Sequence, residues 1–131
     1  MDPQPPSHAD RFDPAVPTDR AHTPPSSWYL DPAVAAAERH SVFGRNWIAV
    51  GRADEVAAPG TFFTARIGDD PIVVVRDATA TLRAFANSCR HHATRVAEGS
   101  GSCQELVCLY HGWTYGLDGR LLRAPGVGGI R

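Results

Sequence analysis

The sequence contains no lysine and few cysteines: all thirteen basic residues are arginine, and only three of the 131 residues are cysteine. We attribute the absence of lysine to coding bias. Three cysteines are too few for a disulfide framework, so a reducing compartment is expected. The formal net charge of -1 gives no electrostatic basis for binding nucleic acid or an anionic membrane.

The chain also lacks an apolar run long enough to span a membrane. Its first residues, Met-Asp-Pro-Gln-Pro-Pro, lack the basic and apolar regions of a signal peptide. We therefore expect a cytoplasmic protein with no membrane segment. A hydrophobic content of 43% with 21% charged residues is ordinary for one globular domain of this length.

The first part of the chain combines a proline-rich segment with a predicted helix. Residues 1–27 hold seven of the eleven prolines and show no periodic apolar pattern, which predicts a disordered tail. Asp31 followed by Pro32 is a typical helix start, and the Ala-rich run Ala33–Phe43 predicts one short helix ending near Gly44. We take residues 28–46 as an N-terminal helical segment.

From Trp47 onward the pattern changes to short β-branched or aromatic runs separated by Gly, Pro and Asp. The predicted strands are Trp47–Val50, Phe62–Ile67, Ile72–Arg76, Leu82–Ala86, Glu105–Cys108, Trp113–Tyr115 and Leu121–Leu122. Asp118-Gly119 is a strong hairpin turn. These signals predict a mainly β domain of small antiparallel sheets.

Two mixed cysteine and histidine pairs dominate the second half of the chain. Cys89-Arg-His91 and Cys108-Leu-Tyr-His111 fall where loops are predicted, with residues 92–107 between them. Two thiolates on one iron and two imidazoles on the other are the ligands of a Rieske [2Fe-2S] cluster. A tetrahedral zinc site uses the same four donors, although common zinc motifs pair cysteine with cysteine. Cys103 has no cysteine partner left and is predicted to be a thiol without a ligand role.

The ligand segments resemble a known family. Asn87-Ser-Cys-Arg-His-His-Ala and Cys108-Leu-Tyr-His-Gly-Trp-Thr-Tyr resemble the Rieske domain of the α subunit of Rieske non-haem iron oxygenases, the aromatic ring-hydroxylating oxygenases. The run from Glu38 to Arg52 is similar to the segment that precedes this domain in α subunits. The resemblance implies a Rieske-type antiparallel β fold over residues 47–131, incomplete at its C-terminus, with two cluster-binding loops.

The resemblance also implies a function and partners. The cluster would receive electrons that originate from NAD(P)H through a flavin reductase or a ferredoxin. It would pass them singly to the catalytic domain of the oxygenase, and the intact family commonly forms homotrimers. That catalytic domain needs a mononuclear Fe(II) held by two histidines and a carboxylate. No such arrangement exists here, because His111 is the only histidine after His92. Only the electron relay can be assigned, with no catalytic residues in this chain.

Departures from the family pattern refine the expectation. Most α subunits have Arg-Gly after the first ligand histidine and Pro after the second cysteine, whereas this chain has His92-Ala93 and Leu109. The His-His-Ala form, with Gly128-Gly-Ile130, indicates the choline-monooxygenase-like branch, which oxidises quaternary ammonium compounds. Alternatives are a stand-alone Rieske ferredoxin, a zinc-stabilised module without redox activity, and a remnant that no longer folds.

Four further residues are candidates for the surroundings of the cluster: Arg90, His92, Tyr110 and Trp113. Trp113 is expected to shield the cluster from water, although plain core packing would also explain it. Respiratory Rieske proteins place a sulfur-bonding serine at the position of Trp113 and disulfide cysteines at those of Thr94 and Tyr110. Fewer hydrogen bonds to sulfur favour a lower reduction potential.

Overall fold

A computed structural model describes residues 12–127. The chain divides between Ile48 and Ala49 into two compact units, which are described separately. The first eleven residues of the predicted tail, and the Gly128-Gly-Ile130 segment, lie outside the described residues.

The first unit contains turns followed by short helices. Helix α1 is Ser26–Leu30, which begins in the predicted tail and ends in the predicted helical segment, and helix α2 is Pro32–Glu38. The Asp31 side chain accepts a hydrogen bond of 2.7 Å from the N–H of Ala33, as expected of an N-cap residue before a helical proline.

The predicted helix extends to Phe43, but it changes form on the way. Arg39–Phe43 is a π-helical turn, in which the N–H of Gly44 donates to the carbonyl of Arg39 at 3.0 Å. The Ser41 hydroxyl donates to the carbonyl of Ala37 at 2.6 Å. Such a side-chain bond to the preceding turn commonly accompanies a distorted helix.

The strand predicted at Trp47–Val50 is wrong, because this segment pairs with no strand among residues 12–127. Trp47 is fully exposed. Aromatic and β-branched residues favour a strand only where a neighbouring strand and a half-buried surface are available.

The second unit is built from antiparallel sheets, as predicted. In the described residues its strands are β1 (Thr61–Ile67), β2 (Asp70–Arg76), β3 (Leu82–Ala86), β4 (Ser100–Ser102), β5 (Glu105–Val107), β6 (Thr114–Gly116) and β7 (Leu121–Arg123). One sheet has the order β3-β2-β1-β4 and the other β5-β6-β7. Strand β4 was not predicted, because Ser-Gly-Ser has no β-branched or aromatic residue.

Side chains of β2 alternate between two cores, as the period of a strand requires. Val73 and Val75 are fully buried and pack with Leu106 and Leu117 of the second sheet region. Val74 points the other way and packs with Val56, which lies in a 3₁₀ turn over Ala53–Val56. Because Val73 and Leu106 belong to different sheets, this core holds the two sheets together.

The sheets place the two ligand segments as loops. The segment with Cys89 and His91 follows the end of β3, and the segment with Cys108 and His111 connects β5 to β6. Among residues 12–127, none of the helices has the length and apolar character needed to cross a membrane.

Candidate metal centre

The two ligand loops share one backbone pattern. The N–H of Cys89 donates to the carbonyl of Thr94, five residues on, and the carbonyl of Cys89 accepts from the N–H of Ala93, four residues on. Cys108 makes the same pair of bonds with Trp113 and Gly112, and the four distances lie between 2.8 and 2.9 Å. The loops are therefore structurally equivalent turns around a cysteine.

Each equivalent turn reverses through a residue in the left-handed region. Ala93 has φ 57° and Gly112 has φ 74°. A glycine adopts this conformation at no steric cost, whereas an alanine is strained. A glycine would therefore adopt the conformation of Ala93 without this strain.

The loops bring the predicted histidines together. Nδ1 of His91 lies 3.1 Å from Nδ1 of His111, although the two residues are twenty positions apart. Two nitrogens bound to one tetrahedral metal at ordinary bond lengths are separated by roughly 3.4 Å. The two imidazoles are thus arranged to bind one metal ion, and both are exposed.

The two predicted cysteine ligands lie on the inner side. Cys89 is 3% exposed and Cys108 is 2% exposed, and both are free thiols. Burial by itself would raise the pKa of the Cys89 thiol, but hydrogen bonds from the Tyr115 hydroxyl and from the N–H of His91 outweigh it and lower that pKa. The thiolate, which is the form that binds a metal, therefore forms more readily at Cys89 than at an unperturbed cysteine.

The pKa of His91 is also lowered, first because neighbouring groups remove part of its hydration and then by repulsion from the neighbouring imidazoles of His92 and His111. A neutral imidazole is the form that ligates a metal. Buried thiols on one side and exposed imidazoles on the other fit a cluster with a thiolate-bound iron inside and an imidazole-bound iron near solvent.

Aromatic rings surround the histidine pair. The Trp113 indole stacks on His91 with centroids 4.7 Å apart and an angle of 3°, and Tyr110 stacks on His111 at 3.9 Å and 25°. The ring of His92 lies 3.9 Å from that of His91 and meets Tyr110 edge-on at 5.6 Å. Three of the predicted surrounding residues thus contact the histidine pair.

Arg90, the fourth of these residues, is exposed, and its backbone N–H donates to the Tyr115 hydroxyl at 3.0 Å. Cys103, predicted to have no ligand role, packs against the core of Val73 and Leu106. Burial raises the pKa of its thiol, which disfavours the reactive form.

Two residues of the site carried no prediction. Tyr115 lies on β6 with its hydroxyl 3.2 Å from Sγ of Cys89. Asn87 is 2% exposed and closes the base of the first loop, because its side chain accepts from the N–H groups of Val96 and Ala97 and donates to the carbonyl of Ala97. The sequence signal that could have identified Asn87 is its position two residues before the predicted ligand Cys89.

Similar proteins were found by sequence. A choline monooxygenase from Arabidopsis thaliana is 48% identical over 92% of this chain and 28% of its own length. The oxygenase subunit of a glycine betaine monooxygenase from Chromohalobacter salexigens is 46% identical over 79% of this chain and 23% of its own length. A benzene 1,2-dioxygenase α subunit from Pseudomonas putida is 34% identical over 90% of this chain and 24% of its own length.

Solved structures share the fold. The quaternary ammonium Rieske monooxygenase CntA in its apo form superposes with a TM-score of 0.78 and 33% identity, covering 85% of this chain and 34% of that chain. Naphthalene 1,2-dioxygenase from Rhodococcus sp. gives a TM-score of 0.75 and 32% identity, covering 79% of this chain and 24% of that chain. The predicted Rieske-type antiparallel fold is confirmed.

This chain spans about a quarter to a third of the length of these relatives. Residues 46–131 match the Rieske [2Fe-2S] domain family, and this match includes both ligand loops. The chain therefore belongs to the Rieske [2Fe-2S] domain family, and its relatives are oxygenases that include choline monooxygenases and dioxygenase α subunits.

Proposed function

We propose that Cys89 and Cys108 hold one iron of the cluster, that His91 and His111 hold the other, and that the chain relays single electrons for an oxygenase. The observation that carries this proposal is the 3.1 Å approach of the two Nδ1 atoms outside a pair of buried cysteines. When bound, the cluster supplies reversible one-electron chemistry. The protein residues hold it, limit its contact with water and leave an edge for electron exchange.

The exposure of the side chains indicates which face of the site exchanges electrons. Both thiols are buried, whereas His91, His92, Tyr110 and His111 are exposed. A partner that docks on this face reaches the imidazole edges without opening the fold. The proposed electron donor is a flavin reductase or a ferredoxin, and the proposed acceptor is the mononuclear iron domain of the intact oxygenase.

For the intact protein we propose a quaternary ammonium substrate. The choline and glycine betaine monooxygenases are 48% and 46% identical to this chain, against 34% for the benzene dioxygenase subunit. The His92-Ala93 sequence after the first ligand histidine supports the same branch.

The experiment is EPR spectroscopy of the full chain after anaerobic reconstitution and dithionite reduction, with iron, sulfide and zinc quantified on the same sample. We expect a Rieske signal of low average g and two irons per chain. Cys89→Ser and His111→Ala should lose the signal. Cys103→Ser is the matched control and should retain it, since Cys103 packs against the core of Val73 and Leu106 and is not a proposed ligand.

Zinc without sulfide, or a chain that binds no metal, would contradict the electron relay and favour a structural module or a remnant. A signal that survives in both Cys89→Ser and His111→Ala would contradict the ligand assignment. Co-purification with a separate catalytic chain would favour the stand-alone ferredoxin over an oxygenase α subunit.

A further inference from the structure

We propose that Trp113 is a positioning residue of the cluster, which fixes the plane of His91 by stacking and donates its indole N–H to a cluster sulfur. This inference rests on the proposed ligand role of His91. It assigns to Trp113 a specific bond in addition to the shielding expected from the sequence.

The stacking geometry is the first support. The indole and the His91 imidazole are parallel to within 3°, whereas the Tyr110 ring is tilted by 25° from His111. Tyr110 is 60% exposed, but Trp113 is partly buried. A flat contact with a partly buried ring restricts rotation of the His91 side chain, and so it holds Nδ1 in the direction of His111.

The unpartnered indole nitrogen is the second support. Nε1 of Trp113 is buried, and it is the one buried side-chain nitrogen or oxygen in residues 12–127 that has no hydrogen-bond partner. An indole N–H can only donate, and leaving it unpaired in the interior is costly. A native protein is therefore expected to supply an acceptor at this point.

The position of the residue indicates the acceptor. The carbonyl of Trp113 accepts from the N–H of Cys108, so the residue is fixed to the second ligand loop, while its ring lies against a residue of the first. A cluster held by both loops would supply sulfide and thiolate acceptors. An N–H bond to such a sulfur stabilises the more negative, reduced state and raises the reduction potential.

The test uses the full chain with tryptophan labelled with ¹⁵N in the indole ring, reconstituted and reduced, and examined by pulsed ENDOR spectroscopy. We expect an indole nitrogen coupling to the cluster. Trp113→Phe keeps a flat ring but lacks the N–H, so it should lose this coupling and lower the midpoint potential. Trp113→Leu lacks both contacts and should also change the histidine nitrogen couplings.

Leu109→Ala is the matched control, because Leu109 lies in the same loop and is 91% exposed. It should leave the couplings and the potential unchanged. If Trp113→Phe fails to fold, the label is assigned instead with Trp28→Phe and Trp47→Phe, which should both retain the coupling.

Three results separate the proposals. Absence of a Rieske signal from the unmutated chain overturns the proposed function itself. A Rieske signal without any indole coupling leaves that function standing and overturns the hydrogen bond from Trp113. Histidine couplings that are the same in Trp113→Leu and in the unmutated chain overturn the positioning role.

Discussion

The hydroxyl of Tyr115 lies 3.2 Å from Sγ of Cys89 and accepts a 3.0 Å hydrogen bond from the backbone N–H of Arg90. Since the Arg90 N–H occupies one lone pair of the hydroxyl oxygen, the hydroxyl proton is free to point at the sulfur. The pKa of Tyr115 is raised, first by burial and then by its bond to Cys89, so the phenol stays protonated and remains a donor.

Tyr115→Phe removes this donor and little else. The proposed cluster would gain one negative charge on reduction, and a donor to the Cys89 sulfur would stabilise that state, so losing the bond should lower the midpoint potential. A loss of about 1 kcal/mol between the two redox states corresponds to a fall of about 40 mV for a one-electron couple. Redox titration followed by EPR measures it. An unchanged potential with an intact cluster would contradict a donor role for the hydroxyl.

The equivalent turns of the two loops predict opposite effects of a matched pair of substitutions. Gly112→Ala places a side chain in the left-handed region and should destabilise the fold by about 1–2 kcal/mol. Space is not the cause, because an added Cβ would lie 3.6 Å from Cγ of Pro125, an ordinary contact. Ala93→Gly relieves the same strain and should stabilise by less than about 1 kcal/mol, because glycine loses more chain entropy on folding.

Thermal unfolding of the two variants and the unmutated chain measures both effects. The opposite signs of the two shifts are the decisive result. A fall in stability for both variants would show that Ala93 is not strained.

We predict that, among the side chains of the first loop, removal of the Asn87 side chain causes the largest loss of stability. Asn87→Ala removes three hydrogen bonds of 2.8 to 3.0 Å and leaves the Val96 and Ala97 groups without partners in a buried place. The expected cost is about 2–4 kcal/mol. Arg95→Ala is the control, since Arg95 is exposed in the same loop and should change stability by less than about 0.5 kcal/mol. Chemical denaturation distinguishes the two, and equal effects would contradict the role of Asn87.

Much of the fold was predictable because its signals are local. The Leu82–Ala86 strand has the predicted bounds, and Asp31 and Pro32 start a helix as their chemistry requires. Trp47–Val50 shows the limit of such reasoning, because the same composition forms a strand only beside a partner. Ser100–Ser102 shows the converse, since it becomes a strand by pairing with Thr61–Phe63 despite its weak propensity.

The candidate ligands of the site could be predicted because cysteine and histidine pairs at these spacings are typical of metal binding. Cys89, His91, Cys108 and His111 were predicted as ligands from residue type and spacing, and the structure brings His91 and His111 together. Tyr115 and Asn87 were not predicted, because their contribution depends on contacts 26 and 10 residues away in sequence. Spacing also could not reveal that loops with different Cys-to-His separations form the same turn.

We predict that protonation of Asp77 destabilises the fold in acid. Substitution of this one residue isolates its contribution. This carboxylate is 4% exposed and accepts a bond of 2.7 Å from the Thr79 hydroxyl and one of 2.6 Å from Nε of Arg83, together with backbone N–H groups of Thr79 and Thr81. The Thr79 hydroxyl, followed by Arg83, lowers the pKa of Asp77 well below its usual range.

The sign of the effect follows from that direction. A carboxyl with a depressed pKa in the folded state stabilises the fold above its unfolded pKa of about 3.9, and this contribution is lost as the pH falls below that value toward the folded pKa. Stability should therefore decline with acid below about pH 4.

Asp77→Asn cannot titrate at this position, so it should start less stable at neutral pH and lose less on acidification. Unfolding curves between neutral and strongly acid pH measure the difference between the two proteins. Other carboxyls with lowered pKa, such as Glu105 and Asp118, are present in both proteins and cancel in that difference. Parallel pH profiles would show that Asp77 does not couple folding to protonation, since a titrating group that differs between the variants must change the slope.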